Sequence, residues 1–495
     1  MSISFPSLST SVRLPFAYAE FDPAYRSSDA SVMPYTGLLV GQMFTSGTNA
    51  GTADPFTLQR PMSAEQAIAL FGRGSQAAAM CAAWLNANPV TKMLCIGVPD
   101  AEEGEKAEGA VSISGTVSSA SPLCLYIAGT RVRAAAALNA AAATVAENLA
   151  TAVNANPDLP VTATFSGGQV TLTAKHAGEC GNDIDLRCNY NDEAAPGGLT
   201  VTITAMSGGA GNPDVERVIA AMGNDQFHVI GWPFNDNASL TSLREEMADR
   251  WGPLRQIDGQ VILVKRGTYG AVTTFSAALN DKSLTVIPSE GSPTSPWEDA
   301  AACAAVVAYY GNSDPARGFN TLTVPGVLAP ARKDRWTDFP EKNQALFEGC
   351  STRYVAADGT VRLQKLITTY RLNALGAEDR AFLSLNSPLT LSYLRYDWNN
   401  YLKLKYPRHK LAGDEDAARF DATQPIMTPK LGKAEAIARC QDVWVPRGLV
   451  EGLEAFKQSL QCERNSVNEN RLDWLIQPDL VNQFEVAGTL IRHLV

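Results

Sequence analysis

Short apolar runs bounded by turn residues recur along the chain. Gly37 to Met43, Met93 to Val98, Phe227 to Trp232, Val261 to Lys265 and Leu284 to Pro288 carry few polar positions. Runs of this length predict strands buried on both faces. Helical patterns lie between them. One opens at Asn212-Pro213-Asp214 and stops near Gly223, with a capping residue, a first-turn proline and a terminal glycine. A second follows Ser239 and ends at Trp251-Gly252, and a third, Asp299 to Tyr310, is largely apolar. Strands alternating with helices predict a mostly parallel sheet covered on both sides. Residues 31–99 and 212–370 therefore read as one α/β core domain.

Residues 100–211 break that pattern. Val161 to Phe165 and Gln169 to Ala174 flank Ser166-Gly167-Gly168, which reads as a hairpin. Val201 and Ile203 alternate with threonines, and one helix is expected near Thr144 to Asn154. The flanks, Glu102 to Gly109 and Gly208-Gly209-Ala210-Gly211, have linker composition. This stretch reads as an inserted β-rich domain. Residues 371–480 read as a mixed α+β C-terminal domain, with helices over Ala377 to Leu385, Ser387 to Lys405 and Leu449 to Gln461. Residues 1–30 and 481–495 read as extended strand arms. In the first, Val12, Leu14, Phe16 and Tyr18 alternate with Arg13, Pro15 and Ala17; Pro15 restricts that strand to an edge. Towards the other end Leu472, Trp474 and Ile476 alternate, and Phe484, Val486, Leu490 and Leu494 share a face.

Composition narrows the function classes. With 45% hydrophobic and 19% charged residues the chain of 495 residues is ordinary for a globular protein with roughly three domains. No run approaches the ~18 apolar residues of a membrane span, and Met1 to Leu14 has no secretory pattern. A soluble protein with no membrane insertion is expected. The net charge of −10 is uneven, because residues 100–211 hold 12 acidic residues against 5 basic ones. No segment has the basic excess that direct nucleic-acid binding requires. Nine scattered cysteines form no C-x-x-C pair, which suits small buried side chains in a reducing compartment.

Motifs for catalysis are thin. Phe71-Gly72-Arg73-Gly74-Ser75-Gln76 has part of a dinucleotide fingerprint, but the third glycine is replaced by Ala77 and a helical stretch precedes it. A turn between helices accounts for it. There is no Walker-type loop and no G-x-S-x-G elbow. His176, His228, His409 and His493 make no zinc-type pair, and His228 falls inside an expected strand. No cofactor, metal or catalytic residue is assigned. Asn235, Asp236, Arg266, Tyr269 and Glu290 fall at the carboxyl ends of the expected strands, where open α/β sheets bind ligands. They suit either a polar ligand or loop capping, so a hydrolase-like α/β enzyme stays as an alternative, beside a baseplate or other lattice protein.

The arms carry more information. A free edge strand invites pairing with another chain, and strand addition between subunits is its productive use. Burying Val12, Leu14, Phe16 and Tyr18 gains roughly 6–12 kcal/mol, against roughly 8–16 kcal/mol to order eight residues. One arm alone therefore docks weakly and holds only where other contacts fix the neighbour.

Three stretches give this organisation a resemblance. They are Ser11-Val12-Arg13-Leu14-Pro15-Phe16-Ala17-Tyr18-Ala19-Glu20-Phe21-Asp22, Ala177-Gly178-Glu179-Cys180-Gly181-Asn182-Asp183-Ile184 within the insert, and Asp473-Trp474-Leu475-Ile476-Gln477-Pro478. With Leu159 to Ala163 and Pro233 to Asp236 they resemble the contractile tail sheath proteins of Mu-like bacteriophages across essentially the whole chain. The resemblance implies a virion structural protein made in the host cytoplasm, self-assembled as six-fold rings stacked helically around a tail tube protein. Baseplate and tail terminator proteins would be its other partners. It implies no hydrolysis, with energy stored in the extended lattice. It also implies that Arg13 to Phe21 and Val481 to Leu494 are donated strands, that Leu472 to Ile476 helps receive them, and that the acidic insert faces outward.

Overall fold

The computed structural model describes residues 33–421 and 423–493. They fall into two compact units, one of residues 33–396 with 480–493, the other of residues 397–479.

In the larger unit β1 (Thr36–Gln42), β2 (Leu58–Gln59), α1 (Ala64–Phe71), α2 (Gln76–Ala87) and β3 (Lys92–Val98) come first. Then follow β4 (Lys106–Ser119), β5 (Leu123–Ile127), β6 (Thr130–Ala134), α3 (Ala142–Asn154), β7 (Val161–Ser166), β8 (Gln169–Ala177), β9 (Leu186–Cys188) and β10 (Gly197–Ser207). The chain returns through α4 (Val215–Met222), β11 (Val229–Trp232), α5 (Asn237–Trp251), β12 (Gln260–Lys265), α6 (Tyr269–Leu279), β13 (Leu284–Pro288) and α7 (Pro296–Ser313).

The main sheet has the order β13-β12-β11-β1-β3-β2. All its pairings are parallel except β2 with β3. Leu38, Leu39 and Val40 of β1 are fully buried, as a central parallel strand requires. Helices α2 and α7 both pack on β1 and on each other. The approach is close because the facing positions are small: a Cβ at Gly37 would lie 2.1 Å from the Trp84 ring, and α7 presents the buried run Ala300, Ala301 and Ala302.

Residues 106–207 build two further sheets. One has the order β10-β4-β8-β7 with α3 packed on it, and the other the order β6-β5-β9. Strand β4 alternates buried and exposed positions along its inner half, the mark of a sheet with one covered face. Gly115 and Gly198 both sit at positive φ, where β10 begins with a register shift, and a Cβ on Gly115 would strike the Gly198 carbonyl at 2.2 Å.

Beyond α7 come α8 (Asn343–Phe347), the hairpin of β14 (Thr352–Val355) and β15 (Val361–Lys365), and α9 (Asn386–Lys405). Helix α9 gives its first half to the larger unit and its second to the smaller. The smaller unit adds α10 (Pro429–Arg439), α11 (Leu453–Ser459) and the antiparallel pair Gln461–Arg464 with Leu472–Leu475. Its core is an aromatic cluster. Trp398 meets Trp444, Trp474 and Tyr401 at ring distances of 6.4, 5.8 and 5.9 Å. Beside it the buried Asp397 accepts hydrogen bonds from Arg439 and from the Trp444 indole N–H.

Several elements differ from the sequence reading. No helix forms over Ala377 to Leu385. Asn373 instead accepts from the amides of Leu375 and Ala377, and Gly376 sits at φ +76°, so the segment turns. Helix α4 starts two residues later than expected, with Asp214 as its cap. The stretch Leu449 to Gln461 is helical only from Leu453, because Gly452 is left-handed at φ +64°. Residues 371–396 cluster with the larger unit, so the smaller unit begins at Asp397. Ile476 lies one residue past the strand Leu472–Leu475. Residues 481–493 form no strand among the described residues, and Gln483 and Glu485 make polar side-chain contacts there. Val12, Leu14, Phe16, Tyr18 and Leu494 lie outside the described residues.

Candidate functional site

The carboxyl edge of the main sheet is where an open α/β fold would hold a ligand, and β1 marks its switch point between β3 and β11. The insert occupies that edge. From the end of β1, Gln42 Nε2 donates to Asp100 Oδ1 at 2.8 Å and to the Ala177 carbonyl at 2.6 Å. Asp100 also accepts from the Ala177 amide at 2.9 Å and meets His176 Nδ1 at 2.7 Å. Arg266 follows β12. It pairs with Asp185 of the insert at 3.1 Å and donates to the carbonyls of Ser292 and Thr294. A small void of about 30 Å³ lies beside Gln42 and His176.

The other polar residues at this edge also have intramolecular tasks. Asp236 caps α5 by accepting from Ser239 N at 2.9 Å, and it accepts from Asn212 Nδ2 at 2.6 Å. Asn235 donates to the Val264 carbonyl. Tyr269 meets the Trp336 ring edge-on at 5.0 Å. Glu290 accepts from the Trp336 amide, and burial raises its carboxyl pKa. Gly72 and Gly74 form the turn between α1 and α2. At the start of α2, where a phosphate would sit, Ser75 accepts from Ala78 N and a Cβ on Gly74 would strike the Pro157 carbonyl at 2.5 Å. His228 is stacked on Tyr35, and its Nδ1 accepts from Thr36 N at 3.0 Å. Burial pushes its pKa down to about 4. These residues fasten loops, helix ends and the insert. Among the described residues no group of three or more His, Cys, Asp or Glu is arranged to hold a metal, and no helix is long and apolar enough to cross a membrane.

The second candidate is the hairpin of the smaller unit. Its ladder pairs Gln461 with Leu475, Cys462 with Trp474, Glu463 with Asp473 and Arg464 with Leu472. Among the described residues it is a two-stranded sheet, with no third strand paired to either outer edge. The pair is seated on α10 through Gly432. A Cβ there would lie 2.9 Å from Cys462 Sγ, 3.0 Å from Leu472 and 3.1 Å from Trp474. Trp474 Nε1 donates to the Gly432 carbonyl at 3.1 Å. Among the described residues the hairpin is thus held by one face, and neither outer edge has a strand partner.

Of the residues singled out for strand exchange, the structure brings Leu472 and Trp474 together over Gly432, with Ile476 half-buried just beyond. Phe484, Val486 and Leu490 are 83%, 85% and 78% exposed. An exposed row of large apolar side chains calls for a covering partner. The sequence reading missed the companion strand Gln461–Arg464. The polar turn Asn465 to Arg471 between two strand-length runs was its available signal.

Comparison with known proteins assigns the family. The model of the phage tail sheath protein central domain matches residues 208–369, and that of the phage tail sheath C-terminal domain matches residues 377–489. The chain belongs to the phage tail sheath protein family. Within it, the chain is 39% identical over 497 residues to the Mu-like prophage FluMu tail sheath protein of Haemophilus influenzae, covering 100% of both. Two solved structures also match: a sheath tail protein from Desulfitobacterium hafniense, with 12% identity, 94% of this chain and 100% of that chain covered and a TM-score of 0.47; and one from Listeria innocua, with 13% identity, 91% and 93% covered and a TM-score of 0.47.

Proposed function

We propose that this chain is the structural subunit of a contractile phage tail sheath. It polymerises around the tail tube as stacked six-fold rings and contracts to drive the tube through the host envelope. The observation that carries the reading is the hairpin seated on α10, which has no third strand among the described residues, in a chain that also exposes an apolar C-terminal arm. Strands from neighbouring copies complete the hairpin by backbone pairing. Val12, Leu14, Phe16 and Tyr18 supply one such strand, and Phe484, Val486, Leu490 and Leu494 the other.

In this reading residues 31–99 with 212–370 are the core domain and residues 371–480 the inner domain. Residues 100–211 are an outer domain whose acidic excess keeps free copies apart. Subunits change interfaces as rigid bodies while the arms keep them connected. Baseplate and terminator proteins bound the polymer at its ends, and assembly takes place in the host cytoplasm. Negative-stain microscopy of the purified chain at rising concentration tests the reading. Tubes or stacked rings are expected, and particles that stay discrete at every concentration contradict it.

A further inference from the structure

The described part of the C-terminal arm lies against its own larger unit. Gln483 Nε2 donates to the Ala316 carbonyl at 3.1 Å, and Ser384 Oγ donates to Gln483 Oε1 at 3.2 Å. Two residues on, Glu485 pairs with Lys365 at the end of β15. The residues between and after, Phe484 and Val486, turn to solvent. Alternate side chains of an extended segment face opposite ways. The arm is therefore docked by its polar face and offers its apolar face outward.

The seat is a groove with an open volume of about 530 Å³, lined by Phe319, Leu346, Phe347, Lys365 and Leu366 among others. Phe339 and Phe347 on its wall are 78% and 60% exposed. The arm does not fill this groove: Gln483 and Glu485 line it, Val486 touches only its rim at 85% exposure, and Leu490 and Ile491 remain exposed. The docking is polar and shallow, and the Lys365–Glu485 ion pair is partly exposed on both sides, at 29% and 38%. Such a pair is weak and screened by salt.

We propose that this groove is a reversible seat for the C-terminal arm, which latches the arm on its own subunit until a neighbour takes it. The inference rests on the strand-exchange reading above and adds its regulation. In the free chain Gln483 and Glu485 hold the arm; on assembly Phe484 and Val486 become its buried face. Latching lowers the fraction of chains whose arm is free to transfer, so it raises the concentration needed for assembly.

Three forms of the full chain, compared by sedimentation and microscopy, test this. Lys365→Ala removes the groove side of the latch and leaves the arm intact. It should lower the critical concentration for tubes about two- to fivefold, the range of one exposed ion pair, and added salt should shrink the difference. An unchanged or raised critical concentration contradicts the latch. The double variant Ser384→Cys/Gln483→Cys is oxidised while dilute. An intramolecular disulfide should form, hold the chain monomeric and release tubes on reduction. Absence of that disulfide, or tubes from the oxidised chain at the reduced chain's concentration, overturns the proposal. Deletion of residues 481–495 separates the two levels. If the deleted chain still makes normal tubes, strand exchange by this arm fails and the latch with it. If it stays monomeric while the other variants behave as the unaltered chain, the latch alone fails.

Discussion

The indole N–H of Trp474 donates to the main-chain carbonyl of Gly432 at 3.1 Å, and this contact pins a two-stranded hairpin to a helix. It works because position 432 has no side chain. Cys462, Leu472 and Trp474 all close on the place where a Cβ would stand.

Gly432→Ala therefore sets two effects against each other. Alanine favours the helix by about 1 kcal/mol, while crowding three contacts costs about 1–3 kcal/mol. The net loss of stability is small, and the hairpin shifts off α10. The expected outcome is a nearly unchanged melting temperature with a clear rise in the critical concentration for tubes, measured by calorimetry and sedimentation on the same sample.

Asp397 gives the opposite profile. Its carboxylate is fully buried and accepts from Arg439 Nε at 2.7 Å and Trp444 Nε1 at 2.8 Å. Asp397→Ala removes the acid of this buried ion pair, at a cost of about 3–5 kcal/mol. The smaller unit should melt first, seen as early loss of the near-ultraviolet tryptophan signal from the cluster around Trp398.

His228 supplies a pH dependence with a defined sign. Its folded pKa is depressed to about 4 by burial, from an ordinary value of 6.5. The neutral form is the one that accepts from Thr36 N through Nδ1. Its contribution is fully present above pH 6.5 and is lost as pH falls towards 4, up to about 3 kcal/mol at 1.36 kcal/mol per unit. His228→Asn keeps an acceptor and removes the titration. The difference in melting temperature between the two chains should be flat above pH 7 and move in favour of the variant between pH 6.5 and 4.

How far these features were legible depended on how local their causes are. The buried run around Leu38 to Val40, the hairpin about Ser166-Gly167-Gly168 and the helix closing at Trp251 all follow from patterns within a few residues of themselves. The carboxyl edge was legible only as residue types. Its use as a joint depends on Asp100, Ala177 and Asp185, which are distant from Gln42 and Arg266 in sequence. The failed helix at Ala377 to Leu385 shows one local signal beating another, since an asparagine-led turn at Asn373 overrode a short helical pattern. The seat of the hairpin on Gly432 had no pattern at all, because the sequence shows a missing side chain without showing what fills its place.

In the proposed strand exchange the N-terminal segment acts through assembly. A chain lacking residues 1–22 should remain folded and monomeric, with the melting temperature of the full chain, and should make no tubes at concentrations where the full chain polymerises. Long regular tubes from that truncation would remove Val12, Leu14, Phe16 and Tyr18 from the exchange.

The most direct measurement is an image reconstruction of assembled tubes at a resolution that traces the main chain. The account requires Gln461–Arg464 and Leu472–Leu475 to be flanked, on their two open edges, by strands from other molecules, one carrying Phe484 and Val486 and one carrying Leu14 and Phe16. A hairpin flanked only by segments of its own chain, or left as two strands in the finished lattice, would contradict it.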